Sequence, residues 1–596
     1  MPAYRFILLT ACLLLGACAG YSAGVLSSAT WAEARALDFI FPFYNWHIRP
    51  FTAADLGSAR HGLGLTALGL ATAGAALLLP ARGRYECALL CQETRWAWAG
   101  LREGLTTLTA RRRRWAWGLL VALTVLRLYF SLHNPAYDDV ASYEVFVSKG
   151  WLATSAYYPI PNNHVFSNTI SLLFYQLSPN FWWTMRLPVL LICTVATVLL
   201  FASLLRRASF GVAAGAVTLF SCLQLSLYHA GVGRGYWLVV LLAGIVFFCT
   251  LTLAGTPRQP RAAWLGLVVA GMLGAYTIPT FGLVLASAFS WLGLDLLRQR
   301  ATGALALLGI TGTVIVAGAL LLYAPLLFVS GPTIFFGNGF VAPHPWAEFW
   351  AGLPTYLWQT EGFLAGQMKV GTLVTLGGLA ASITLLKQAH RLPETLRKPW
   401  TKLAPAALWF MLFPYTVLIA RRVFAPERAL FYKAFFFFVL LALVLEWLVR
   451  ARRQRGLRPA LGIVALLWLS YQVNGLRRDN QLPQRRNDAL HAAFLWLDQQ
   501  PRGAMLIPEP TQSLFVRMYL HSERPGQAWH IDAYPRPNIR YAYVLAFPNH
   551  RGLFQPRFSY PPAFHNEQAD IYQVITTAEQ NVGIQVSPPP YWHLAQ

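Results

Sequence analysis

Apolar runs of roughly 18 to 22 residues recur along this chain, bounded by Arg and Trp, and they restrict its fold more than any other feature. About 20 apolar residues wound as an α-helix match the thickness of a bilayer's hydrocarbon core. A helix also satisfies its own backbone hydrogen bonds there. Residues that are 56% hydrophobic and only 12% charged exceed what a water-soluble domain of this size needs to bury. The chain is therefore expected to be a mainly α, polytopic membrane protein.

Apolar length and flanking charge predict about thirteen spans, near 5–23, 61–81, 115–133, 180–205, 209–229, 234–254, 261–277, 279–297, 303–329, 366–386, 403–420, 430–449 and 459–475. The connecting loops alternate in charge. Arg111 to Arg114, Arg206–Arg207, Arg258 with Arg261, Arg298 with Arg300, the "KQAHRLPETLRKPWTK" loop and the "RARRQRGLR" run from Arg450 all fall on one side, two spans apart. By the positive-inside rule that side is cytoplasmic. This accounts for the net charge of +24 without nucleic acid, which is not expected as a partner. Residues 24–60, the loop after His133, the "HAGVGRG" turn, loop 330–365, "RRVFAPER" and the last 120 residues or so then lie outside.

"LLLGAC" ending at Cys18 is compatible with a lipoprotein signal; a plain first membrane helix is preferred. Cys87 and Cys91 share a helix face in a basic loop, but no His pair follows, so a metal site is not expected there. After Arg477 the pattern changes. "DALHAAFLWLDQQ" and "TQSLFVRMYLH" read as helices, while "AMLIPE" and "YAYVLAFP" are of strand length. The expected organisation is 1–114, two extra N-terminal helices with a basic cytoplasmic loop; 115–476, the membrane domain; and 477–596, a small soluble α/β module.

The first exterior loop is the chemically richest stretch. "NPAYDDVASYEVF" spends three carboxylates, Asp138, Asp139 and Glu144, in a chain with only 24 acidic residues. Asn-Pro breaks the preceding span. Val140, Tyr143, Val147 and Trp151 then recur at helical spacing, predicting an interfacial helix. An Asp at a helix start commonly caps it; that explains one Asp better than two. Pro159 and Pro161 fix an extended approach to Asn162, Asn163 and His164, which open another helix.

An acidic pair after an early span, an interfacial helix and then "PNNH" resemble the first exterior loop of GT-C glycosyltransferases. The nearest likeness is to bacterial family 39, the protein O-mannosyltransferase and aminoarabinose-transferase group. "YHAGVGRGYWLVVLL" resembles that family's "ARGY" turn, through Arg234, Gly235 and Tyr236. "FAPERALFYKAFFFFVLLA" resembles its late "P-x-R…Y…PFF" segment, through Arg428 and Tyr432. The likeness covers roughly residues 115–450. Departures are Asp138-Asp139 where the family has Asp-Glu, Val165 where Pro often follows "NNH", and the two extra early helices.

The resemblance implies transfer of a hexosyl or pentosyl group from a polyprenyl-phosphate donor to a hydroxyl outside the cytoplasm, by an inverting single displacement at a bacterial inner membrane. A carboxylate would take the acceptor proton: Asp138 is the expected base, with Asp139 or Glu144 tuning or orienting it. A leaving lipid phosphate needs fixed cations. "RRVFAPER" supplies Arg421, Arg422 and Arg428 in an exterior loop where the positive-inside rule disfavours Arg, and Arg234 sits in another. Arg186 and Lys433 lie near exterior helix ends, where phosphate binding and snorkelling to headgroups weigh equally. Asn162, Asn163, His164, Tyr236 and Tyr432 complete the expected substrate-binding set. No cofactor is expected; a divalent ion between the carboxylates is compatible with them, but the ligand set is too thin to predict one. His344, Glu348 and Glu361 lie in the 330–365 loop, a candidate lid. The expected partners are the donor lipid, membrane lipids and an unidentified glycan, lipid or protein acceptor. A transporter or flippase for lipid-linked glycans, a polymerase or ligase acting on them, and a membrane-anchored scaffold are the competing readings.

Overall fold

The computed structural model describes residues 2–573 apart from 40–47, 134, 160–161, 255–259, 334–336, 338, 452–455, 528, 534–538 and 549–560. Asn134, Pro161, Arg258 and the centre of the "RARRQRGLR" run lie outside the described residues.

The helices run in the order α1 (Pro2–Ser27), α2 (Ala53–Leu78), α3 (Ala81–Thr106), α4 (Ala110–Ser131), α5 (Tyr137–Val145), α6 (Gly150–Ala156), α7 (Val165–Tyr175), α8 (Leu187–Arg207), α9 (Phe210–Cys222), α10 (Gln224–Gly231) and α11 (Tyr236–Leu253). They continue with α12 (Arg261–Thr277), α13 (Gly282–Arg298), α14 (Thr302–Val329), α15 (Trp346–Leu364), α16 (Gly371–Lys387), α17 (Ala404–Arg421), α18 (Phe431–Ala451), α19 (Leu457–Asp479), α20 (Gln481–Asp498) and α21 (Pro510–Glu523). Among the described residues nine stretches of helix are long and apolar enough to cross a membrane, or ten if the α9–α10 pair, bent by 66°, counts as one span. That is fewer than the thirteen expected. All the expected segments are helical, but α4 begins with four Arg residues, and α12 and α16 have 17 residues each. Such a helix is about 25 Å long, short of a hydrocarbon core of about 30 Å.

The main core lies among α8, α9, α11, α13, α17 and α18, where Phe247, Phe410 and Phe436 meet at ring-centroid distances of 4.8 to 5.2 Å. Arg127 of α4 is fully buried inside it. Its guanidinium donates to Cys193 O at 3.2 Å, Thr197 Oγ1 at 2.7 Å and Ser221 Oγ at 2.7 Å, and lies 4.3 Å from the Trp237 ring. A buried charge in such a bundle requires donors' partners around it, and Arg127 thereby ties α4 to α8, α9 and α11.

The segment after α2 differs from the loop expected there. It is the helix α3, whose Glu86 and Glu93 bind Arg261 at 2.5 and 3.3 Å. The helix α1 runs through Cys18, whose thiol is buried against Met272 Sδ at 3.6 Å.

Near the C-terminus α19 leads into α20 with a one-residue break. Beyond it, five short strands, β1 (Ala504–Leu506), β2 (His530–Asp532), β3 (Tyr541–Ala546), β4 (Phe564–His565) and β5 (Asp570–Gln573), form a sheet in the order β2-β1-β3-β5-β4. β1 is parallel to both β2 and β3, and β5 is antiparallel to β3 and β4. The α21 crossover between β1 and β2 permits that parallel pairing. The module also packs on the membrane domain: Phe494, Phe515 and Tyr519 share one apolar cluster with Val140, Tyr143 and Val147.

Candidate active site

The site is built around α5. Its N-cap is Ala136, whose own side chain makes no cap bond, while Asp139 in the first turn accepts from the Ala136 backbone N–H. Adjacent helical residues point about 100° apart, and packing sends the two carboxylates to different partners. Asp139 is fully buried. Arg186 Nη2 lies 2.8 Å from its Oδ2, and Gly233 N donates to the same oxygen at 3.2 Å. Burial pushes the Asp139 carboxyl above its ordinary range, against the pull of Arg186 and the Gly233 N–H. Asp138 instead keeps 34% of its side chain exposed, with Oδ2 3.9 Å from Arg428 Nη1. Among the described residues no group of three or more His, Cys, Asp or Glu converges on a metal position.

The "NNH" and "GVGRG" segments meet beside α5. Arg234 Nη1 donates to Asn162 O at 2.7 Å, to Asn162 Oδ1 and to Ser142 Oγ at 3.3 Å. Asn162 Nδ2 donates to Asp138 O at 3.0 Å. Arg234 is thus fixed to the helix that carries the acidic pair. His164 faces donors on both sides, with Gly235 N 3.0 Å from Nδ1 and Arg234 Nη2 3.0 Å from Nε2. Burial, then the positive charges of Arg234 and Arg428, hold its pKa well below the ordinary value. A neutral imidazole accepts through one nitrogen only, so just one of the two contacts is satisfied at a time. Gly235 must remain glycine for this approach: a Cβ there would stand 2.8 Å from Thr277 Cγ2 and 3.1 Å from His164 Nδ1. The Tyr236 ring lies between His164 and His229, at 4.9 and 4.0 Å.

Other expected site residues are placed differently. Asn163 is used within its own loop, donating to Thr154 O and Tyr157 O at 2.9 and 3.0 Å and accepting from Asn168. Glu144 turns away from the acidic pair to His521 of α21, 2.9 Å from its Nδ1. Lys433 is buried against Glu361 at 2.8 Å, its ammonium 3.5 Å from the Tyr415 ring centroid, and Tyr415 also donates to Glu361. Tyr432 is buried beside it. Arg421 is exposed at the end of α17; Arg422 adopts φ 54° and lies 5.2 Å from the Trp346 ring. Glu361 belongs to α15, a helix in the 330–365 stretch.

Two cavities adjoin these groups. One, of about 720 Å³, is lined by Arg428 and Lys369 together with Leu225, His229, Phe363 and Met368. The other, of about 440 Å³, lies between the start of α5 and the C-terminal module. Tyr228, Leu476, Asn480 and Pro483 line both. Lys369 was not singled out in the sequence, since nothing marks it there as near Arg428. Arg186 carried a signal, an Arg near an exterior helix end, that did not tell it from a snorkelling residue.

No protein-family model and no curated protein matches the sequence. Solved structures do. The crystal structure of ArnT from Cupriavidus metallidurans bound to undecaprenyl phosphate is similar over 79% of this chain and 99% of that one, with a TM-score of 0.53 at 13% identity. The apo crystal structure of the same protein covers 78% and 98%, with a TM-score of 0.52 at 13% identity. At that identity the likeness is one of architecture, and the conclusion it carries is that this chain has the GT-C glycosyltransferase fold, with a small C-terminal α/β module.

Proposed function

We propose that this protein is a glycosyltransferase of a bacterial inner membrane, which moves a sugar from a polyprenyl-phosphate donor to an acceptor hydroxyl at the periplasmic face. The observation that carries the reading is the meeting of Asp138 and Arg428. A reachable carboxylate and a reachable guanidinium stand 3.9 Å apart, and the guanidinium lines a large, mostly apolar cavity. Such a pair has the two functions the transfer requires at neighbouring positions, a proton acceptor and a phosphate ligand. The similar protein's complex with undecaprenyl phosphate supports a lipid-linked donor.

In this reading Arg428 and Lys369 hold the donor phosphate, and the apolar wall receives the start of the polyprenyl chain. The acceptor oxygen attacks the anomeric carbon from the face opposite the phosphate. The bond from that carbon to the phosphate oxygen breaks, and the lipid phosphate leaves with the electron pair. The acceptor proton passes to Asp138 and from there to solvent or the departing phosphate. Asp139, paired with Arg186, fixes the start of α5, and Arg234 fixes the loop behind it. No cofactor enters, because the phosphoester already activates the sugar. The two carboxylates face two different arginines rather than one shared position.

The test uses purified protein with tritiated undecaprenyl-phosphate hexoses and pentoses and a bacterial membrane extract. Native protein should move label from the donor to another species, and Arg428→Ala should raise the donor KM at least tenfold, about 1.4 kcal/mol. A donor KM unchanged in that variant removes the phosphate role. The bend between α9 and α10 is also a feature of transporters. If label crosses a sealed vesicle without leaving its lipid, the flippase reading replaces this one.

A further inference from the structure

The helix α3 is too polar to cross a bilayer and too aromatic for open water. It has 26 residues, about 39 Å of helix, and is not among the stretches apolar enough to span a membrane. Its contacts lay it across the ends of other helices. Glu86 and Glu93 bind Arg261 at the start of α12, and Ala262 N donates to Glu93 at 3.0 Å. Gly100 lies over the end of α8, so close that a Cβ there would stand 2.7 Å from the Arg206 guanidinium carbon. Gly83 and Glu86 are buried, and Leu90, Glu93, Gly100 and Gly104 are half-buried, which makes a single inward stripe of helical period.

The outward face has a different chemistry. Arg84, Arg95 and Arg102 are exposed, and their spacings of eleven and seven residues, about three turns and two, set them in one row. Glu86 and Glu93, the acids that could neutralise the row, are turned inward to Arg261. The three guanidiniums have no carboxylate partner among the described residues. Trp98 flanks the row on one side and Tyr85 with Trp96 on the other, all three more than half exposed. The same composition continues into α4, where Arg111 to Arg114, Trp115 and Trp117 are exposed. In open water these rings would stay hydrated at a cost in free energy. At the water–lipid boundary an indole ring sits at headgroup depth, and a guanidinium binds phosphate bidentately. The helix ends that α3 covers, and the Arg-rich start of α4, share the side that the positive-inside rule makes cytoplasmic.

We propose that α3 lies in the headgroup layer of the cytoplasmic leaflet and binds anionic phospholipid. Arg84, Arg95 and Arg102 take the phosphates, and Tyr85, Trp96 and Trp98 enter the boundary with the acyl chains. Charge complementarity selects this occupant, because the phospholipids of that leaflet give it a negative surface potential. Each guanidinium near such a surface adds roughly fivefold to the affinity, a gain that salt screens. The lipid site is separate from Asp138 and Arg428, and stands whether or not the protein transfers a sugar.

The experiment compares the full chain in nanodiscs of phosphatidylcholine alone with nanodiscs that also contain phosphatidylglycerol. Hydrogen exchange in 81–106 should be at least threefold slower with phosphatidylglycerol, and concentrated salt should remove the difference. The triple substitution Arg84→Gln, Arg95→Gln and Arg102→Gln should abolish it, whereas Arg477→Gln, Arg478→Gln and Arg485→Gln together should leave it intact. Equal exchange in the two discs, or a difference that survives the first triple substitution, overturns the proposal. If that variant proves unstable, Arg95→Gln alone decides: the difference should at least halve, and an unchanged difference overturns the proposal. Polyglutamate added to phosphatidylcholine discs should not protect 81–106; protection equal to that given by phosphatidylglycerol would assign the row to a soluble polyanion and overturn the lipid site.

Discussion

Removing either member of the Arg186–Asp139 pair should destabilise the protein, and removing both should cost much less than the sum. The carboxylate is fully buried and the guanidinium nearly so, at 2.8 Å. Breaking such a pair on one side leaves an uncompensated buried charge, at about 3–5 kcal/mol. The two sides differ. Arg186→Met leaves Asp139 with the Gly233 N–H at 3.2 Å, so its loss should lie near the upper end. Asp139→Asn leaves the Arg186 guanidinium 5.7 and 5.3 Å from the Phe181 and Trp182 rings, and cation–π contacts return about 0.5–2 kcal/mol. Its loss should lie near the lower end. The double variant replaces an ion pair by neutral groups of similar volume and should be close to neutral, giving a coupling energy above about 2 kcal/mol. The assay is reversible unfolding in mixed micelles, with transfer rates measured alongside. Additive losses would refute the pairing. An Asp139→Asn protein of native stability and no activity would refute the structural role and make Asp139 the better candidate for the base.

Three further outcomes follow from contacts around α5. His521→Ala leaves the buried Glu144 without its imidazole, a loss of about 1–3 kcal/mol, and should speed hydrogen exchange in 137–145; unchanged exchange there would separate the module from the helix. Gly235→Ala forces a Cβ against Thr277 and His164, which should cost about 1–3 kcal/mol and weaken donor binding, whereas native stability and binding would show that the turn yields freely. His164 is held neutral in the folded site, so below its unfolded pKa of about 6.5 the unfolded chain binds more protons than the folded one. Stability should therefore rise with pH through the acid range up to about 6.5, with no contribution from His164 above it. His164→Gln should flatten that slope, and an unaltered slope would place the titration elsewhere.

The membrane architecture was legible because the bilayer demands long apolar helices, and the nine or ten spanning stretches among the described residues all fall within the thirteen expected runs or overlap them. The chemical segments "DDVASYE", "NNH", "GVGRG" and "RRVFAPER" could be found because charged and amide side chains are costly in such a chain. What each residue touches was not legible. Asp138 and Asp139 differ by one step along the helix, and only packing around α5 decides that one enters the core while the other faces Arg428. Glu144 and His521 lie 377 residues apart, and Lys433 and Glu361 belong to different helices, so neither pairing leaves a local pattern. In the module β3 showed its apolar run, whereas β2, β4 and β5 have two to four residues and owe their existence to neighbours. The helix α3 read as a basic loop because Arg82, Arg84, Glu86, Glu93, Arg95, Arg102 and Glu103 leave it no apolar run of spanning length.

The division of labour between the two aspartates is the central claim, and Asp138→Asn tests it most directly. The substitution keeps shape and removes the proton acceptor, and loss of a general base costs about 10²–10⁴ in rate. With saturating tritiated undecaprenyl-phosphate sugar and membrane extract, the variant should fold with native stability, bind undecaprenyl phosphate within a few-fold of native and transfer label at least a hundredfold more slowly. Transfer at the native rate would contradict the account.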